Sequence, residues 1–169
     1  MMNSRIVSLT LIAVVVLLSS CSSIEFETVQ PTHVNELVSM TDELKGTWVG
    51  EEGDKLKITS RWIKTPDMKY RLGDNCKLKV SNERYFLSLG EENEWSLIVA
   101  EVRGDEMTLW QFNVQTEEEL AQLSKCTAVT IMNEDSQYDP SYHINPGHEE
   151  FERMLESDLK EELGVFNRK

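Results

Sequence analysis

The chain has 169 residues, with 17 Lys and Arg against 30 Asp and Glu and a formal charge of −13. At 40% hydrophobic and 28% charged residues it can build a core, which excludes a disordered or collagen-like chain, and its length suits a single domain. Its acidity argues against nucleic acid as a partner and against adhesion to anionic lipid through a basic patch, since both need a positive surface.

The N-terminus carries an address. Behind a short segment containing Arg5, Ile6–Leu18 is a 13-residue apolar run diluted only by Ser8 and Thr10. A permanent membrane span needs roughly 20 apolar residues, so the run fits a secretory signal core. Leu18-Ser19-Ser20-Cys21 resembles the lipobox of bacterial lipoproteins: an aliphatic residue, two small residues, then Cys. The resemblance implies a signal peptide over 1–20, lipidation of Cys21, a tether over 21–33 and a domain over 34–169. Each buried methylene of an acyl chain contributes about 0.8 kcal/mol, so palmitate-type chains on Cys21 anchor the protein without any membrane-binding protein surface. Ser22 after the lipidated position is similar to the pattern sorted to the outer membrane, facing the periplasm, in Gram-negative cells. In a cell with one membrane the same anchor holds the domain on its outer face.

With Cys21 acylated, Cys76 and Cys126 remain. An even pair in an oxidising compartment reads as a disulfide. Closing a loop of about 50 residues would stabilise the fold by about 4 kcal/mol in the chain-entropy picture. The alternatives are two inert buried thiols, or half a metal site whose His or carboxylate partners the spacing does not supply.

Val34–Leu44 predicts a short helix with Leu37, Val38 and Leu44 on one face and Gly46 beyond its end. Strand patterns follow. Leu56, Ile58, Ser60 and Trp62 alternate with polar residues, as do Cys76, Leu78 and Val80. Thr47–Glu51, Met68–Leu72, Arg84–Gly90, Trp95–Val102, Met107–Val114 and Thr127–Met132 complete about eight short segments separated by Gly- and Asp-rich turns. Met107 and Leu109 on one side and Trp110 and Phe112 on the other predict a strand buried on both faces. Even spacing with tight turns indicates an antiparallel meander closing into a barrel, or nearly so. Thr116 and Glu119 form a capping box for a helix that packs Leu120 and Leu123 inward. After a polar connector, Asn133–Ile144, a C-terminal helix is predicted over 146–163, capped by Asn145, begun by Pro146 and ended by Gly164. Phe151, Met154, Leu155 and Leu159 share one of its faces.

Gly46-Thr47-Trp48, opening the first strand, resembles the Gly-x-Trp motif of lipocalins and their calycin relatives. The wider pattern is similar to a group of small, mostly uncharacterised bacterial lipoproteins with calycin-like folds, matching over 84–90 (RYFLSLG), 104–110 (GDEMTLW), 116–123 (TEEELAQL) and 148–155 (HEEFERML). The resemblance implies a mainly β, calycin-like barrel with two or three peripheral helices and Trp48 packed across its closed end. Fold does not fix function.

Motifs for chemistry are sparse. His33 falls in the tether. His143 and His148 flank Asn145-Pro146-Gly147 near Asp139 and Glu149, but the second His of a zincin helix is missing, and a solvated connector explains them better. Asn133, Asp135 and Asp139 lack the Gly and bidentate Glu of a calcium loop. No nucleophile elbow, phosphate loop or dinucleotide fingerprint occurs. The expectation is a non-enzymatic protein with no cofactor or metal beyond the lipid on Cys21. Trp62, Tyr70, Tyr85, Trp95 and Trp110 fall in strands and are the candidate walls of a ligand site at the barrel mouth, with plain core packing as the competing explanation. Two functions follow: a binding module for a small apolar or amphipathic ligand, which needs a hollow lumen, or a lipoprotein whose partner is another envelope protein in assembly or stress sensing, which needs a packed barrel and an exposed apolar patch.

Overall fold

A computed structural model describes residues 24–132 and 140–169, and the lipidation position Cys21 and the cluster Asn133, Asp135 and Asp139 lie outside them. The described chain is mainly β. Its strands are β1 (Ile24–Phe26), β2 (Gly46–Gly50), β3 (Lys55–Ile58), β4 (Trp62–Lys64), β5 (Lys69–Arg71), β6 (Cys76–Ser81), β7 (Arg84–Glu91), β8 (Glu94–Arg103), β9 (Glu106–Phe112), β10 (Val129–Met132), β11 (Ser141–Ile144) and β12 (Lys160–Arg168). Two helices accompany them, α1 (Glu117–Cys126) and α2 (His148–Glu156). All twelve strands join one sheet that does not close. Its antiparallel path runs β6-β7-β8-β9-β12-β2-β3-β4-β5, and its two end strands meet only at a single bridge between Leu72 and Cys76. The mainly β fold agrees with the sequence, but where about eight strands closing or nearly closing into a barrel were expected, the described sheet has twelve and does not close.

The sheet branches at β8. One edge of β8 pairs with β7 along its length, including Trp95 with Gly90. The other edge pairs with β9 from Ile98 onward and with β1 at Trp95. From β1 the branch continues through parallel β11 to β10. Alternation along β7–β9 feeds two cores. Leu87, Leu89, Ala100, Met107 and Leu109 join Trp48, Leu56, Ile58, Ile63 and Phe166 on the concave side. Phe86, Leu97, Val99, Trp110 and Phe112 face outward and are covered by β1, β11 and both helices. Phe151 of α2 is the centre of that outer core, meeting Phe26, Phe86 and Phe112 edge-on at ring distances of 6.3, 5.8 and 6.1 Å. Burial of β9 on both faces agrees with its sequence.

Several expected elements differ. No helix forms over 34–44, where Leu37 N–H donates to Leu78 O and Met40 N–H to Ser60 O, so the backbone satisfies itself against the sheet. Only one turn, from Thr41 to Leu44 and Lys45, remains. The segment predicted as one strand from Leu56 to Trp62 is two, β3 and β4, joined by a turn in which Thr59 N–H bonds Trp62 O. The folded part begins inside the expected tether, because Ile24 and Phe26 are buried in β1. Ser141–Ile144, read as connector, is β11, where His143 Nε2 lies 2.6 Å from Glu25 Oε2 across the β1 pair. Behind β1, Lys79 Nζ donates to Val29 O and Pro31 O, both at 2.9 Å, tying the N-terminal segment to β6. Burial pushes the Lys79 ammonium down, with Glu36 acting against it.

At the C-terminus, α2 starts after Gly147, whose N–H is bonded by Glu150, while Asn145 instead accepts from the Thr28 hydroxyl. It ends at Glu156, Ser157 N–H closing on Met154 O, and the remaining chain pairs with both β9 and β2 as β12. Arg168 on that last strand holds its guanidinium 4.5 Å from the Trp48 ring and donates to Lys45 O and Glu43 O at 2.9 and 2.7 Å. Trp48 is fully buried, with its indole N–H on Leu44 O. Gly46, at φ 143°, lies in a region L side chains rarely adopt, and a Cβ there would sit 3.7 Å from the Arg168 side chain.

The expected disulfide is absent. Cys76 and Cys126 are free, and they lie in opposite cores, one concave and one outer. Burial pushes the Cys76 thiol up to about 12, so it stays protonated and unreactive at neutral pH. Thiol titration of the chain beginning at Ser22, unfolded without reductant, should give two equivalents, where a disulfide would give none.

The capping box of α1 forms as its sequence predicts, with the Glu119 carboxylate accepting from Gln115 N–H and Thr116 N–H. Its carboxyl lies below the ordinary value of 4.5, chiefly through the Gln115 backbone bond, against desolvation and with the Thr116 bonds adding to the lowering. The folded value is depressed, so this contribution to stability is full above about 4.5 and is lost as the pH falls through the folded value. Glu119→Gln should flatten that part of the acid limb of a pH–stability curve, and an unchanged limb would contradict the assignment.

Candidate functional site

The inward residues of the concave sheet do not fill it. They enclose a cavity of about 330 Å³, within the range of small-molecule sites. Leu56 and Ile58 of β3 and Ile63 of β4 form one wall, and Leu87, Leu89, Ile98, Met107 and Leu109 of β7–β9 the other. Leu163 and Phe166 of β12 complete the lining. Asp54, Lys55, Thr65, Asp67 and Met68 stand at the rim, where the β2–β3 and β4–β5 turns meet solvent. Trp48, buried in the same core under Arg168, does not line the cavity. The polar groups are few and peripheral. Tyr70 is the exception inside: its hydroxyl lies 3.1 Å from Met68 Sδ, and burial, with Cys76 acting the same way, raises its phenol pKa.

Of the five aromatic residues predicted to wall a ligand site, only Tyr70 lines this cavity. Trp95 and Trp110 belong to the outer core, where Trp110 Nε1 donates to Glu101 at 3.3 Å. Tyr85 packs half-buried against the concave core without reaching the cavity. Trp62 points out of the sheet, with Lys69 Nζ 3.8 Å from its ring centroid and Arg71 5.7 Å from it. The walls are aliphatic, because the alternation that turns Leu56, Ile58 and Ile63 inward necessarily turns Trp62 outward. Those aliphatic positions were readable as inward strand residues. Leu163 and Phe166 were not, because the chain around them reads as the end of a helix.

His33 and His148 come together although 115 positions separate them, their rings 3.8 Å apart, with Glu152 one helical turn beyond His148. Ligand atoms of all three lie within 4.8 Å of one another. The two imidazoles are exposed and their rings are tilted by 51° to each other. His143 is engaged with Glu25 instead.

Among the described residues no helix is long and apolar enough to cross a membrane. No known family's sequence pattern matches the chain, and no curated protein or solved structure is significantly similar to it.

The cavity makes neighbouring positions on β8 respond differently to bulk. Leu97 faces the packed outer core at 4% exposure, while Ile98 borders empty space. Leu97→Trp should cost about 1–3 kcal/mol by overpacking. Ile98→Trp should leave the urea midpoint nearly unchanged, and equal losses would mean that the cavity is closed in solution.

Proposed function

We propose that the protein is a lipid-anchored cell-envelope binding module, calycin-like in its barrel, that holds a small apolar or amphipathic ligand and performs no chemistry on it. The single observation behind the reading is the apolar cavity of about 330 Å³, with Tyr70 its one polar side chain away from the rim. An empty apolar cavity of this size forfeits packing that Leu or Phe side chains could supply, and a protein gains from leaving it only if something enters. The few titratable groups at the rim, Asp54, Lys55 and Asp67, sit where an amphipathic ligand's head would emerge. Lipidation of Cys21 and an outer-membrane, periplasm-facing location are the remaining parts of the proposal. Both rest on the sequence up to and including Ser22.

Native mass spectrometry of the chain beginning at Ser22, exported to a periplasm and purified without detergent, tests the reading. The expected spectrum carries a discrete extra mass that leaves on unfolding. Ile98→Trp with Leu163→Trp should remove that mass while the fold persists. A bare wild-type monomer that also fails to bind an environment-sensitive naphthalene fluorophore would overturn the proposal and favour a protein partner in the envelope.

A further inference from the structure

The outer face of β3–β5, strands that wall the cavity, carries a cluster of cations. Lys55 and Lys57 on β3, Lys64 on β4, and Lys69 and Arg71 on β5 all point outward and are exposed, around half-buried Trp62. Lys57 is the direct cross-strand partner of Lys64, and Lys64 of Lys69, so three ammonium groups stand in one row across three strands. Like charges directly opposite on one sheet face are destabilising. Among the described residues no carboxylate lies within ion-pair distance of any of these five cations, in a chain with 30 acidic residues.

Protection of a sheet edge explains charges on β5, which ends the sheet. It does not explain Lys57 and Lys64, each of which is paired on both sides. The row leads to the β4–β5 turn, where Met68 is 38% exposed and Thr65, Asp67 and Met68 form the cavity rim. A basic face beside an exposed methionine, at the mouth of an aliphatic cavity, matches the layering of an anionic bilayer surface, with phosphate outside and hydrocarbon beneath.

We infer that the outer face of β3–β5, through Lys55, Lys57, Lys64, Lys69, Arg71 and Trp62, docks on an anionic phospholipid surface and turns the cavity mouth towards it. The docking stands on the charge arrangement alone, and the role of the mouth rests on the ligand-binding reading. On this inference the chain's net acidity does not bar a local basic patch. Charges more than about 8 Å away are screened at physiological salt, so the local cluster governs contact rather than the sum over the chain.

The test uses the chain beginning at Ser22, which contains every described residue and lacks the lipidation site, so that binding reports the protein surface. It should sediment with vesicles of phosphatidylglycerol and phosphatidylcholine in equal parts, less so as salt rises, and not with phosphatidylcholine alone. Each cation near such a surface contributes about fivefold to partitioning, so Lys64→Gln with Lys69→Gln should lower it about thirtyfold. Lys125→Gln, an exposed cation on α1, should change it little. Cavity-filling Ile98→Trp with Leu163→Trp should keep vesicle binding while losing ligand, which separates failure of docking from failure of the cavity reading. Absence of vesicle binding, binding indifferent to the Lys64 and Lys69 changes, or capture by soluble polyphosphate without vesicle binding would each overturn the inference.

Discussion

Everything else in the structure hangs on β8 being buried on both faces while pairing with three strands. Ten residues carry Leu97 and Val99 into one core and Ile98 and Ala100 towards the other. A strand in this position cannot slip by one residue, because a slip would exchange two different sets of partners at once. Leu97 and Val99 would leave the aromatic core around Phe151, and Ile98 would lose its place on the cavity wall. The register of β7 and β9 is fixed by the same argument, and with it the geometry of the cavity.

The two cores are filled differently, and the difference carries the functional asymmetry. The outer core receives four phenylalanines, two tryptophans and two helices, so its large flat groups interlock. Helix α2 is tied to α1 as well, through Arg153, whose guanidinium donates to Cys126 O at 3.0 Å at the α1 C-terminus. The concave core is mainly aliphatic beside Trp48 and Phe166, and its side chains leave a space between them. At one end the β2–β3 and β4–β5 turns leave it open.

Where hydrophobic alternation was strong, the sequence was legible. β6, β7, β8 and β9 lie where their period of two places them, the double burial of β9 follows from Met107-Leu109 and Trp110-Phe112, and Thr116 with Glu119 marks the start of α1. The failures share a cause, which is tertiary pairing of segments without local periodicity. Ile24–Phe26 is too short to show a period, and it becomes a strand only because β8 and β11 offer it edges. The 34–44 segment has helical spacing, but Leu78 O and Ser60 O compete for its donors. Phe151, Met154, Leu155 and Leu159 do share a core, yet Leu159 reaches it from beyond the helix, which hid β12 and Arg168 behind a pattern that looked continuous. Pairing of the two cysteines followed from counting and compartment, and no count reports that β7–β9 stand between two cores. Aromatic richness likewise pointed to a ligand site, whereas the tryptophans and Tyr85 were spent on packing or on the outer face.

One alternation governs both sides of β3–β5. Because successive side chains leave a strand in opposite directions, the Leu56, Ile58 and Ile63 positions that line the cavity fix where Lys55, Lys57, Trp62 and Lys64 must project. Cavity wall and basic face are therefore a single construction, and neither can move along the sheet without the other. Folding alone asks only that the outer positions be polar, and neutral residues would satisfy it without placing like charges opposite one another. Among the described residues these five cations have no carboxylate at ion-pair distance, and they stand on the layer whose reverse is the apolar wall. On the docking inferred above, an anionic surface would supply counter-charge from outside the molecule, beside the rim of the cavity.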